Sequence, residues 1–88
     1  MKLVTAARAF MAARFPCAFE EPVLLDRLNR SGAIDAPAHA EALSSALSTL
    51  ARMRDAECLV DSDGTAAWAA TPHGVAAWRE QGSPRTGG

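Results

Sequence analysis

The sequence predicts a mainly α-helical domain closed near its C-terminal end by a small two-stranded β-hairpin. Three observations carry this prediction. Apolar residues recur at helical spacing in three successive stretches between Leu3 and Ala56. Two short runs, Cys58-Leu59-Val60 and Thr65 to Ala70, then flank Asp61-Ser62-Asp63-Gly64, the pattern of strand, glycine-containing turn and strand. Thr71-Pro72 opens a last helix, with threonine at the capping position and proline where its missing N–H is not needed.

A chain of 88 residues supports one modest core, so a single domain is expected over residues 1–82, with residues 83–88 as a disordered tail. Hydrophobic residues make up 49% of the chain, but much of that is alanine, so Leu, Val and a few large rings must supply the bulk of the core. Nine Lys plus Arg against ten Asp plus Glu give a net charge of −1, which provides no global attraction to nucleic acid or acidic lipid. Any DNA contact needs a locally basic face.

Helix one is expected from Leu3 to Phe15, with Leu3, Ala6, Ala7, Phe10 and Met11 on one face and Pro16 as its stop. The stretch MKLVTAARAFMAARF is basic, amphipathic and free of acids, superficially like a presequence. It lacks a long apolar core and a cleavage site, so it reads as a mature helix. Cys17 to Glu21 reads as a connector. Helix two starts at Glu20-Glu21-Pro22 and ends at Gly32, turning Val23, Leu24, Leu25 and Leu28 inward and Asp26, Arg27, Asn29 and Arg30 outward.

Helix three is expected from about Ala36 to about Ala56, with Asp35 as its N-cap and Pro37 in its first turn. Its buried stripe is Leu43, Ala46, Leu47 and Leu50, which turns Glu41, Ser45, Ser48, Arg52 and Asp55 to the opposite side. In the hairpin, alternation sets Ala66, Trp68 and Ala70 on one face, with Trp68 folding onto the helices. The last helix then buries Val75 and Trp78, exposes Arg79 and Glu80, and closes at Gly82.

The run LSTLARMRDAECLV from Leu47 to Val60, then Gly64, Trp68 and Thr71-Pro72-His73-Gly74-Val75-Ala76-Ala77-Trp78, resembles the winged helix-turn-helix superfamily, especially its small bacterial and phage regulators. The resemblance spans roughly residues 22 to 80. It implies that Pro22 to Asn29 is the first helix of the helix-turn-helix, that Ala36 to Ala56 is the recognition helix, and that Asp61 to Gly64 is the wing tip. Three departures accompany it: a long third helix, a long connection before that helix, and an acidic wing tip.

Two functional readings follow. In the first the domain is a DNA-binding transcriptional regulator: Ser44, Ser45, Ser48, Thr49, Arg52 and His39 approach the groove, and Arg27 and Arg30 meet phosphates. Arg54, Arg8 and Arg14 are further phosphate candidates. Against it stand Glu41 on helix three and Asp61 and Asp63 on the wing, which the phosphate backbone repels. In the second reading the serine-rich stripe is a protein contact surface, for a homodimer, for docking into an assembly, or for inhibition of a host complex by a phage product.

An enzyme is not expected. His39 and His73 each have an ordinary place in the first turn of a helix, and no nucleophile and base or metal-ligand spacing links them to Cys17 or Cys58. The two cysteines read as reduced thiols of a cytoplasmic protein, of the small buried kind. Trp68 and Trp78 read as core, with a ligand-stacking pair as the alternative. No cofactor, small-molecule substrate or membrane span is implied; no stretch approaches the roughly 18 apolar residues that a span requires.

Overall fold

The computed structural model describes residues 2–81. Gly82 and the tail to Gly88, for which a helix stop and disorder were expected, lie outside the described residues. The element order is α1 (Leu3–Ala13), β1 (Ala18–Phe19), α2 (Glu21–Ser31), α3 (Ala40–Arg52), β2 (Ala56–Val60), β3 (Ala66–Ala70) and α4 (Pro72–Gln81). The described residues thus form a small mixed α/β unit, four helices with a three-stranded antiparallel sheet in the order β1-β3-β2.

The third strand corrects the two-stranded expectation. Ala18 and Phe19 pair with Ala69 and Trp68, inside the segment that reads as a bare connector. Two residues have no strand signal of their own; they become a strand because β3 offers a free edge and because Phe19 is held. Its ring meets Phe10 of α1 edge-on, with centroids 5.2 Å apart and planes at 67°, while the Arg14 guanidinium lies 3.8 Å over the Phe10 ring.

Helix α1 is the centre of the domain, packing against α2, α3, α4 and β3. Its alanines permit this: Ala6, Ala7 and Ala12 are buried and let three helices approach one backbone closely. Met11 and five leucines, Leu24, Leu28, Leu43, Leu47 and Leu50, supply the bulk. The rings Phe10, Phe19, Trp68 and Trp78 sit half-buried at the margin of this core, with Val75. The expected contribution from Val23 is absent, for it is 41% exposed.

Helix α2 ends as expected. Gly32 takes φ +75, the left-handed conformation that glycine adopts without a Cβ penalty. Helix α3 is shorter than expected at both ends. Pro37 disfavours helical backbone at Ala36, and the Asn29 side chain clamps Ala38. Asn29 Oδ1 accepts from the Ala38 N–H at 2.8 Å and Nδ2 donates to the Ala38 carbonyl at 3.2 Å. That amide holds the chain as a neighbouring strand would, so the helix begins only at Ala40, with His39 rather than Asp35 as its N-cap.

At its other end α3 stops in a Schellman arrangement. Asp55 N–H donates to Leu50 O at 2.8 Å and Arg54 N–H to Ala51 O at 3.0 Å, with Arg54 at φ +65 where glycine usually stands. The same turn anchors the last helix. Thr71 N–H donates to Asp55 O at 3.1 Å, the Thr71 hydroxyl donates to the Arg54 carbonyl, and that hydroxyl accepts from the Gly74 N–H at 3.0 Å as the cap of α4.

Candidate functional site

The buried stripe of α3 falls on Leu43, Ala46, Leu47 and Leu50, as its 3.6-residue period requires. The opposite side is consequently fixed. Glu41, Ser44, Ser45, Ser48, Thr49 and Arg52 line one shallow, open depression of about 480 Å³. At about 1.5 Å per residue it extends along roughly 16 Å of helix. Ser44, Ser45, Ser48 and Arg52 are exposed; Thr49 is half-buried, and its hydroxyl donates back to the Ser45 carbonyl at 3.1 Å. Thr49 therefore has its hydroxyl proton engaged and offers only its lone pairs as acceptors outward, unlike the serines beside it.

The other residues singled out by sequence are exposed but differently engaged. His39 stands at the N-terminal end of the same helix and makes no capping bond. Arg27 is exposed on α2, while Arg30 Nε lies 3.0 Å from Asp26 Oδ1 in an exposed ion pair one helical turn apart. Arg14 is committed to Phe10, donating to its carbonyl at 3.1 Å.

Two charged residues are not where the helical pattern sets them. Asp55, expected on the exposed stripe, is 1% exposed, and Arg8, a candidate phosphate contact, is buried against it with Nη1 3.1 Å from Asp55 Oδ2. His73 completes the group, its Nδ1 2.7 Å from Asp55 Oδ1. The end of α3 is drawn inward by this cluster, which joins α1, the α3–β2 turn and α4. A carboxylate orienting a histidine is also half of an acid–base device. Among the described residues, however, Asp55 is the sole hydrogen-bonding partner of the His73 ring, and no hydroxyl or thiol stands on its other nitrogen. The three side chains tie α1, the α3–β2 turn and α4 together.

Cys17 and Cys58 are both free and exposed, not buried as small hydrophobes. Among the described residues no group of three or more His, Cys, Asp and Glu is assembled for a metal ion, and no buried polar side-chain atom lacks a partner. No helix among them is long and apolar enough to cross a membrane. Trp68 donates from Nε1 to Glu21 Oε2 at 3.2 Å and packs, like Trp78, against the core. The two rings are wall material for the domain.

Comparison with protein-family models, with curated proteins and with solved structures finds no match for this chain. The polar face of α3 must be interpreted on its own chemistry.

Proposed function

We propose that this domain is a small winged-helix DNA-binding protein, a transcriptional regulator that lays α3 in the major groove. The observation that carries the reading is the outer face of α3: no other described element covers it, and hydroxyls line it up to Arg52. The helix-strand-helix-helix-hairpin order, with the first strand paired to the third, supports the winged-helix assignment. Serine hydroxyls donate to phosphate oxygens and accept from or donate to base edges, and their small size lets the helix backbone sit deep in a groove about 12 Å wide. Arg52 and Arg27 supply charge for the phosphates. Asp61 and Asp63 keep the hairpin turn away from the backbone.

Fluorescence anisotropy with a mixed-sequence duplex at ~50 mM salt tests this. Binding is expected, with Arg52→Ala weakening it and lowering the salt slope by about one. Absence of any binding at ~100 µM protein and that salt overturns the reading.

A protein-interaction module is the second reading. It is favoured by the exposed apolar side chains of β2 and by the acidic turn that follows them.

A further inference from the structure

Strand β2 lies at the edge of the sheet, and among the described residues no strand pairs with its outer side. Edge strands normally carry a lysine, a proline or a bulge that blocks pairing with another chain. Ala56-Glu57-Cys58-Leu59-Val60 carries none of these, and Glu57 is its single charge. Leu59 and Val60 are 45% and 64% exposed, and Met53 just before the strand is 47% exposed. We infer that this edge is a self-association surface, on which β2 of a second copy pairs antiparallel about a two-fold axis at Cys58 to make one continuous six-stranded sheet.

The register follows from the backbone. Asp61 N–H donates to Thr65 O at 3.0 Å and Thr71 N–H to Asp55 O at 3.1 Å, so residues 55, 57, 59 and 61 turn their backbone groups toward β3. Cys58 and Val60, both exposed, therefore present N–H and C=O outward, while Ala56, turned the same way, is buried. A two-fold axis perpendicular to the sheet keeps each side chain on its own face, so it must pass through a residue position, at 57, 58 or 59.

Charge selects among these. A centre at Glu57 sets Glu57 against its own copy. A centre at Leu59 sets Glu57 against Asp61 twice. A centre at Cys58 sets Glu57 against Leu59 of the second copy and Ala56 against Val60, with Cys58 hydrogen-bonded to its own copy; the one like-charged pair it opposes is Asp55 with Asp61, and there the Asp55 carboxylate is buried on Arg8. The same register carries the Asp63 end of the second copy's turn to the exposed Arg52-Met53-Arg54 end of α3. Asp61 stays out of that contact, because its carboxylate accepts from its own Asp63 and Thr65 N–H groups. Asp55 likewise faces Arg8 in the core. The acidic turn thus meets a basic helix end, which gives its charge a role that DNA does not.

The test uses the full chain without nucleic acid, so it stands apart from the DNA-binding reading. Sedimentation velocity from ~10 to ~500 µM is expected to show a reversible monomer–dimer equilibrium, as a small interface gives. Leu59→Glu and Leu59→Lys remove the same apolar surface, yet in this register the first faces Glu57 with a like charge twice and the second with an opposite charge twice. The dimer Kd of Leu59→Glu should exceed that of Leu59→Lys by about 2- to 30-fold. In an otherwise unaltered Cys17→Ser chain, diamide should take two electrons and two protons from the paired Cys58 thiols and leave a covalent dimer, since a hydrogen-bonded pair sets Cα atoms about 5.5 Å apart. A monomer over the whole concentration range, equal effects of the two Leu59 substitutions, or no cross-link through Cys58 in a chain that does dimerise would each overturn the proposal.

Discussion

Gly74 sits in the first turn of an exposed-sided helix, where Gly→Ala ordinarily stabilises by up to about 1 kcal/mol through helix propensity and reduced unfolded-state entropy. Here the sign should reverse. A Cβ on Gly74 would lie 2.1 Å from the Asp55 carbonyl oxygen and 2.8 Å from its carbonyl carbon, and both are backbone atoms that no rotamer change can move aside. Restoring an allowed contact requires α4 and the α3–β2 turn to separate by roughly 1 Å. That costs about 1–3 kcal/mol as overpacking, and about 1 kcal/mol more because the Asp55 carbonyl also accepts the Thr71 N–H. Net of the propensity gain, Gly74→Ala should destabilise by about 1–3 kcal/mol, lowering the melting midpoint by about 4–8 °C for each kcal/mol. Urea unfolding followed by tryptophan fluorescence and far-UV dichroism measures this directly. A Gly74→Ala protein as stable as the parent, or more so, would refute the close packing of α4 on Asp55.

Three further outcomes test the same region. Asp55→Ala leaves Arg8 buried without its carboxylate and should cost about 3–5 kcal/mol, whereas His73→Ala should cost under about 1 kcal/mol because the His73 side chain is 67% exposed; chemical denaturation of the two proteins checks the ratio. Thr71→Ala removes the α4 cap and the bond to the Arg54 carbonyl and should cost about 1–2 kcal/mol, with Thr71→Ser recovering most of it in the same assay. Arg54→Gly relieves a non-glycine residue at φ +65 and should stabilise by about 0.5–1 kcal/mol, read as a rise in the thermal midpoint.

What the sequence disclosed was local, and what it concealed was made by partners distant along the chain. Gly32, the Leu43-Ala46-Leu47-Leu50 stripe and the Thr71-Pro72 start were legible because a cap or a period acts over one or two turns. β1 was not, since Ala18 and Phe19 are a strand only by virtue of β3 some fifty residues later. The late start of α3 depends on Asn29, which in its own helix looks like an ordinary exposed polar residue. Asp55 shows the strongest failure: a carboxylate at helical spacing belongs outside by every local rule, and it is inside because Arg8 reaches it from another helix. The serines of the α3 face were found for the converse reason, that an exposed face is the complement of a buried one.

The bonds among Arg54, Asp55 and Thr71 give the β2–β3 hairpin the mechanics of a cantilever. Its base is clamped to α3, α1 and α4 at once, while among the described residues the hydrogen bonds at its far end, around Gly64, stay within its own turn. Load applied near the tip is carried back to one fulcrum, and that fulcrum is also the last turn of α3. Amide exchange should accordingly slow steadily from the tip toward the base. The turn that ends α3 just beyond Arg52 is thus the same turn that anchors the hairpin and the start of α4.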